Sequence, residues 1–81
     1  MRIVLYSRRG CHLCEHAEEL LAFHAPDAVV VDVDANADAK ARFDLRVPVF
    51  EVDDRVVLEG RIDEEELVRA MALLRVVRSR G

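Results

Sequence analysis

Apolar positions recur with two different periods along the chain, and the switches between those periods mark its elements. Residues 2 to 6, Arg-Ile-Val-Leu-Tyr, form a short apolar run with β-branched members that ends at Ser-Arg-Arg-Gly, and they predict a buried strand. From His12 to His24, the residues Leu13, Ala17, Leu20, Leu21 and His24 fall on one helical face, and Pro26 stops the run. Residues 28 to 33, Ala-Val-Val-Val-Asp-Val, have the continuous valine character of a central strand covered on both faces. An alanine-rich stretch from 34 to 43 follows, with Asp34 or Asn36 available to cap a short helix. Residues 47 to 52 and 55 to 59 are two β-rich runs separated only by Asp53 and Asp54, which predicts an antiparallel hairpin ended by Gly60.

The last helix has the clearest start signal. Asp63 stands as N-cap, Glu66 is its capping-box partner three residues on, and Ile62 is spaced to pack against Leu67. Leu67, Ala70, Met71, Leu74 and Val77 supply a buried face, while Arg75, Arg78 and Arg80 suit the negative pole of the helix.

The predicted order is strand, helix, strand, helix, strand, strand, helix, an α/β arrangement in a single domain over residues 1–81. Long crossovers between the first three strands imply parallel neighbours, and the tight turn implies an antiparallel pair. A four-stranded mixed sheet with helices on both faces follows.

Charge narrows the function. Twelve Lys and Arg against sixteen Asp and Glu give a formal net charge of -4, and the arginines are dispersed rather than gathered, which argues against nucleic acid as a partner. No apolar run approaches the length needed to cross a membrane. Arg8 and Arg9 are followed by charged residues rather than the apolar stretch of an export signal, so the reducing cytoplasm is the expected compartment.

Cys11 and Cys14, with two residues between them at the junction of strand one and helix one, are the candidate chemistry. A bridge between them closes too small a loop to serve as a structural staple. Three readings compete: a redox couple, part of a metal site, or two small buried residues. Zinc ligation draws on Cys11, His12, Cys14 and His16 but finds only the lone His24 elsewhere, whereas a structural site normally takes its second pair from a distant segment. Placement at a helix start favours the redox couple, because unpaired backbone N–H groups and the positive helix pole stabilise a thiolate. Cys11 sits at that start, and Arg8, Arg9 and a protonated His12 add positive charge near it, so its pKa is expected to fall. Cys14, one turn in, has fewer free N–H groups, and its pKa is expected to stay higher. Cys11 is therefore the nucleophile and Cys14 the resolving thiol. An imidazolium at His12 favours the thiolate and makes the pair more oxidising.

These residues, in this order of elements, resemble the thioredoxin superfamily and more closely its small glutaredoxin-like proteins. Residues 5 to 14, Leu-Tyr-Ser-Arg-Arg-Gly-Cys-His-Leu-Cys, look like the glutaredoxin opening; residues 46 to 50, Arg-Val-Pro-Val-Phe, look like its cis-proline segment; and residues 59 to 63, Glu-Gly-Arg-Ile-Asp, look like the turn before its last helix. The resemblance implies a thioredoxin fold and a dithiol–disulfide oxidoreductase. Pro48 would be a cis-proline placing the Val47 backbone beside the disulfide to pair with the substrate main chain. Arg8 and Asp63 match glutathione-binding positions. His12, Leu13, Arg46 and Arg61 depart from the family's usual residues, which bears on whether glutathione binds. No tightly bound cofactor is implied; glutathione is a candidate co-substrate, and a thioredoxin-reductase-like protein is a candidate reductant of a chain that acts on protein disulfides. The alternatives are an iron–sulfur carrier ligated by Cys11 and a non-catalytic binding module on the same scaffold.

Overall fold

The computed structural model describes residues 1–80, with side chains through Val76; the side chains of Val77, Arg78 and Arg80 lie outside the described part. Strand β1 (Ile3–Ser7) leads into helix α1 (His12–His24), then strand β2 (Val29–Asp32), a 3₁₀ turn at Val33–Ala35, helix α2 (Ala37–Phe43), the hairpin of β3 (Val49–Val52) and β4 (Arg55–Glu59), and helix α3 (Glu64–Arg80). The sheet order is β2-β1-β3-β4, with β2 parallel to β1 and β3 antiparallel to both β1 and β4.

Strand alternation sorts the core into two layers. Leu5 on β1 and Phe50 and Val52 on β3 face Ala17, Leu21 and Ala25 of α1 and Leu67 and Met71 of α3. The residues between them, Val4, Tyr6 and Val49, face Ala39 and Phe43 of α2. Two helices thus cover one face of the sheet and a single short helix covers the other.

Two expectations about the sheet are corrected. Residues 28 to 33 form no central strand: β2 lies at the sheet edge, and Val29 and Val30 are 52% and 49% exposed. Its third neighbour is also not parallel. Asp32 is in register with Ser7 and Val49 with Tyr6, so the connection from β2 to β3 leaves and returns at the same end of the sheet. Helix α2, with seven residues, rises only about 10 Å, well short of the roughly 17 Å length of a five-residue strand that a return to the far end would require.

The local signals explain the rest. Asn36 Oδ1 accepts the Ala39 N–H at 2.9 Å and starts α2, while Asp32 caps the preceding 3₁₀ turn through the Asp34 N–H. Asp63 Oδ1 accepts the Glu66 N–H at 2.8 Å and starts α3, with Ile62 and Leu67 buried in the same cluster. Asp53 and Asp54 both hold positive φ, 49° and 69°, as a two-residue hairpin turn of the favoured twist requires. Leu13, expected on the buried face of α1, is 44% exposed, and Cys14, Ala17 and Leu21 take that face instead.

Candidate active site

One end of the sheet collects the loops that carry the chemistry. β1 ends there and β3 begins there, and β4, antiparallel to β3, brings Gly60 to the same end. The Gly60 N–H donates to the Pro48 carbonyl at 2.9 Å, tying the turn before α3 to the start of β3. The Val47–Pro48 peptide is cis, and Pro48 is fully buried. Val47 is half-buried, its side chain packed against the α2-side cluster.

Cys11 is the N-cap residue of α1 and is joined to Cys14 in a disulfide, with Cα atoms 5.2 Å apart. The Cys14 N–H donates to Cys11 Sγ at 3.1 Å, so the sulfur occupies the place of a capping oxygen and faces the orphan donors of the helix start. Cys11 is partly exposed, whereas Cys14 is completely buried. The arrangement offers one sulfur to an incoming partner and keeps the other beneath it.

The basic residues divide into those in use and those available. Arg8 does not face the sulfurs as a free charge. Its guanidinium reaches Asp34 through Nε at 2.9 Å and Nη2 at 3.0 Å, the Asp44 carbonyl at 3.0 Å, and the Asp44 carboxylate. Hydrogen bonds to Asp34 first and Asp44 second hold Arg8 protonated above its ordinary range, and Arg8 in turn holds the Asp34 carboxyl below its own. Arg46, beside Val47, is bidentate to Glu59 at 2.8 and 2.9 Å; that pairing raises Arg46 and lowers the Glu59 carboxyl. Arg9 and Arg61 are exposed and form no ion pair among the described residues. The His12 ring stands fully in solvent, with Nδ1 4.0 Å from Glu15, and Asp63 spends one carboxylate oxygen on the α3 cap.

Two polar clusters escaped the sequence reading. Buried Ser7, the last residue of β1, donates to Glu18 Oε2 at 2.7 Å, fixing α1 against the strand that leads to the cysteines. On the α2 side, buried Glu51 accepts from Tyr6 Oη and from Arg42 Nη2, both at 3.1 Å. Burial, then the bond to Glu51, raises the Tyr6 hydroxyl above its usual value. Glu51 lies in an otherwise apolar strand run, and only the register with β1 reveals its partner.

A family model described as Glutaredoxin-like domain matches residues 2–72. The chain belongs to the glutaredoxin-like family. The X-ray structure of a structural-genomics target protein, XcR50 from X. campestris, is similar at 33% identity with a TM-score of 0.76, over 88% of this chain and 96% of that one. A malarial protein structure shares the fold at 12% identity and a TM-score of 0.54, over 86% of this chain and 91% of its own. No curated protein sequence matches. This glutaredoxin-like chain has a thioredoxin-type fold bearing a redox-type Cys-x-x-Cys pair, and among its described residues no helix is long and apolar enough to cross a membrane.

Proposed function

We propose that the chain is a thiol–disulfide oxidoreductase in which Cys11 exchanges with a substrate disulfide and Cys14 resolves the product. The observation that carries this reading is the pairing of a partly exposed Cys11 at the helix start, its sulfur bonded by the Cys14 N–H, with a fully buried Cys14. In the reduced state the same N–H and the helix pole would support a Cys11 thiolate. That thiolate attacks one substrate sulfur, the substrate disulfide breaks, and the displaced sulfur leaves as a thiolate that takes up a proton. Cys14, losing its proton, then attacks Cys11; the mixed disulfide breaks, the second substrate thiol is released, and the Cys11–Cys14 bond carries away the two oxidising equivalents.

Protein disulfides fit the site better than glutathione does. Arg8, a position that serves glutathione in the resembling family, is already neutralised by Asp34 and Asp44, and Arg46 by Glu59. Reduction of the pair then falls to a protein reductant of the thioredoxin-reductase kind, with glutathione as the competing donor.

The test pairs two assays on the reduced protein: reduction of insulin disulfides coupled to thioredoxin reductase, and reduction of a glutathione mixed disulfide coupled to glutathione reductase. Turnover is expected in the first at least, and its loss in Cys11→Ser. Silence in both assays would overturn the proposal and favour the idle binding module.

A further inference from the structure

Strand β2 is an edge strand with apolar residues on both faces, a combination that natural sheets usually avoid because an open edge recruits another strand. Each of the cavities described along this chain borders it. On the α1 side, two hollows of about 380 and 390 Å³ meet at Val30 and Glu18 and together form a groove from Gly10 to Pro26. On the α2 side, a hollow of about 210 Å³ runs beside Val29 and Val31 under Arg2 and Arg42. Val29 and Val30 remain half exposed on opposite sides of the strand, Val29 toward the α2-side hollow and Val30 toward the α1-side groove.

The groove on the α1 side is strongly polarised. Glu15, Glu18, Glu19 and Asp32 line it, and its cations are Arg8 and Arg9. Since Asp34 and Asp44 hold Arg8, Arg9 alone opposes four carboxylates. Its floor beyond Glu18 is apolar, built from Leu21, Ala25 and Ala28. A second copy of the chain would bring the same carboxylates against these, so the charge disfavours a self-paired edge. It favours an occupant whose side chains point positive charge toward α1.

We propose that β2 docks an extended segment of a partner protein, added as a fifth strand, with basic side chains directed into the α1-side groove and apolar ones over Val29 and Val31. The groove begins at Gly10, one residue before Cys11, so a strand seated there brings its own protein to the disulfide. Resting on the oxidoreductase reading, this names the substrate class: proteins that present a basic, β-prone segment near the disulfide they exchange.

Peptide binding tests the surface without any redox step. Two six-residue peptides, one alternating lysine and valine and one alternating glutamate and valine, are titrated against the oxidised protein while backbone amide signals and their hydrogen exchange are followed. The lysine peptide is expected to bind at least tenfold more tightly, to slow exchange within Val29–Val31, and to weaken as salt rises. Val30→Lys and Glu19→Lys, both at exposed positions, are expected to weaken it at least tenfold each while keeping the circular dichroism spectrum of the parent. Equal binding of the two peptides, no binding, perturbation confined to Val47–Pro48, or a stable dimer protected at β2 would each overturn the docking surface. Failure of the parent protein to reduce bis(2-hydroxyethyl) disulfide, a small neutral substrate with no strand to dock, strikes the oxidoreductase reading instead.

Discussion

Arg8 shows how a residue beside the candidate site is committed to other partners. Placed three residues before Cys11, it reads as a source of positive charge for the thiolate, yet the geometry gives its guanidinium to Asp34 and Asp44. It is a brace between the redox loop and the segment flanking α2. The bond has a pH signature. Asp34 and Glu59, held low by Arg8 and Arg46, bind protons less readily in the folded chain than in the unfolded one. Stability that they contribute is therefore fully present above the unfolded value of about 4 and is lost as pH falls through the depressed folded values. The urea midpoint is expected to drop between pH 5 and pH 3, and to drop less in Asp34→Asn combined with Glu59→Gln. The sulfurs divide as cleanly: Cys14→Ser is expected to retain attack by the partly exposed Cys11 and to accumulate a mixed disulfide visible by mass spectrometry, whereas Cys11→Ser, leaving only a buried thiol, forms none.

At the scale of elements, the caps and the hairpin turn give separable predictions. Asn36→Ala removes the acceptor that starts α2 and is expected to cost about 1 kcal/mol in chemical denaturation. Asp63→Asn keeps a capping oxygen while removing the charge, so stability should be nearly unchanged; a selective rise in KM for a glutathione mixed disulfide would then assign Asp63 to binding as well as capping. Asp54→Gly relieves a non-glycine residue at φ 69° and is expected to stabilise the fold by roughly 0.5 kcal/mol. Local signals of this kind were legible in the sequence: both Asp63 and the Asp53–Asp54 turn act as their residue types demand, and the cysteines stand at the helix start. What was not legible depended on neighbours. A run of valines is equally compatible with a central strand and with an edge strand, and the direction of β3 shows only in its register with β1 and β4. For the same reason the partners of Arg8, separated from it by 26 and 36 positions, had no local trace.

Across the whole molecule, stability rests on one thick layer and one thin one. Phe50 is fully buried between the sheet and the two longer helices. Phe50→Ala is expected to cost about 3–5 kcal/mol, comparable with the entire stability of a domain this small, and to leave the chain largely unfolded at room temperature by circular dichroism. The thin layer has a different consequence. Helix α2 is anchored chiefly by Ala39 and Phe43, so its amides are expected to exchange with solvent before those of β1 and β3. Asp34 and Asp44 flank that segment on either side, so an opening of α2 would also loosen their hold on Arg8. On the proposed role of Cys11, its ionisation in the reduced protein is then expected to respond to substitutions in a helix on the opposite face of the sheet, and a shifted thiol titration in Phe43→Leu would check that link.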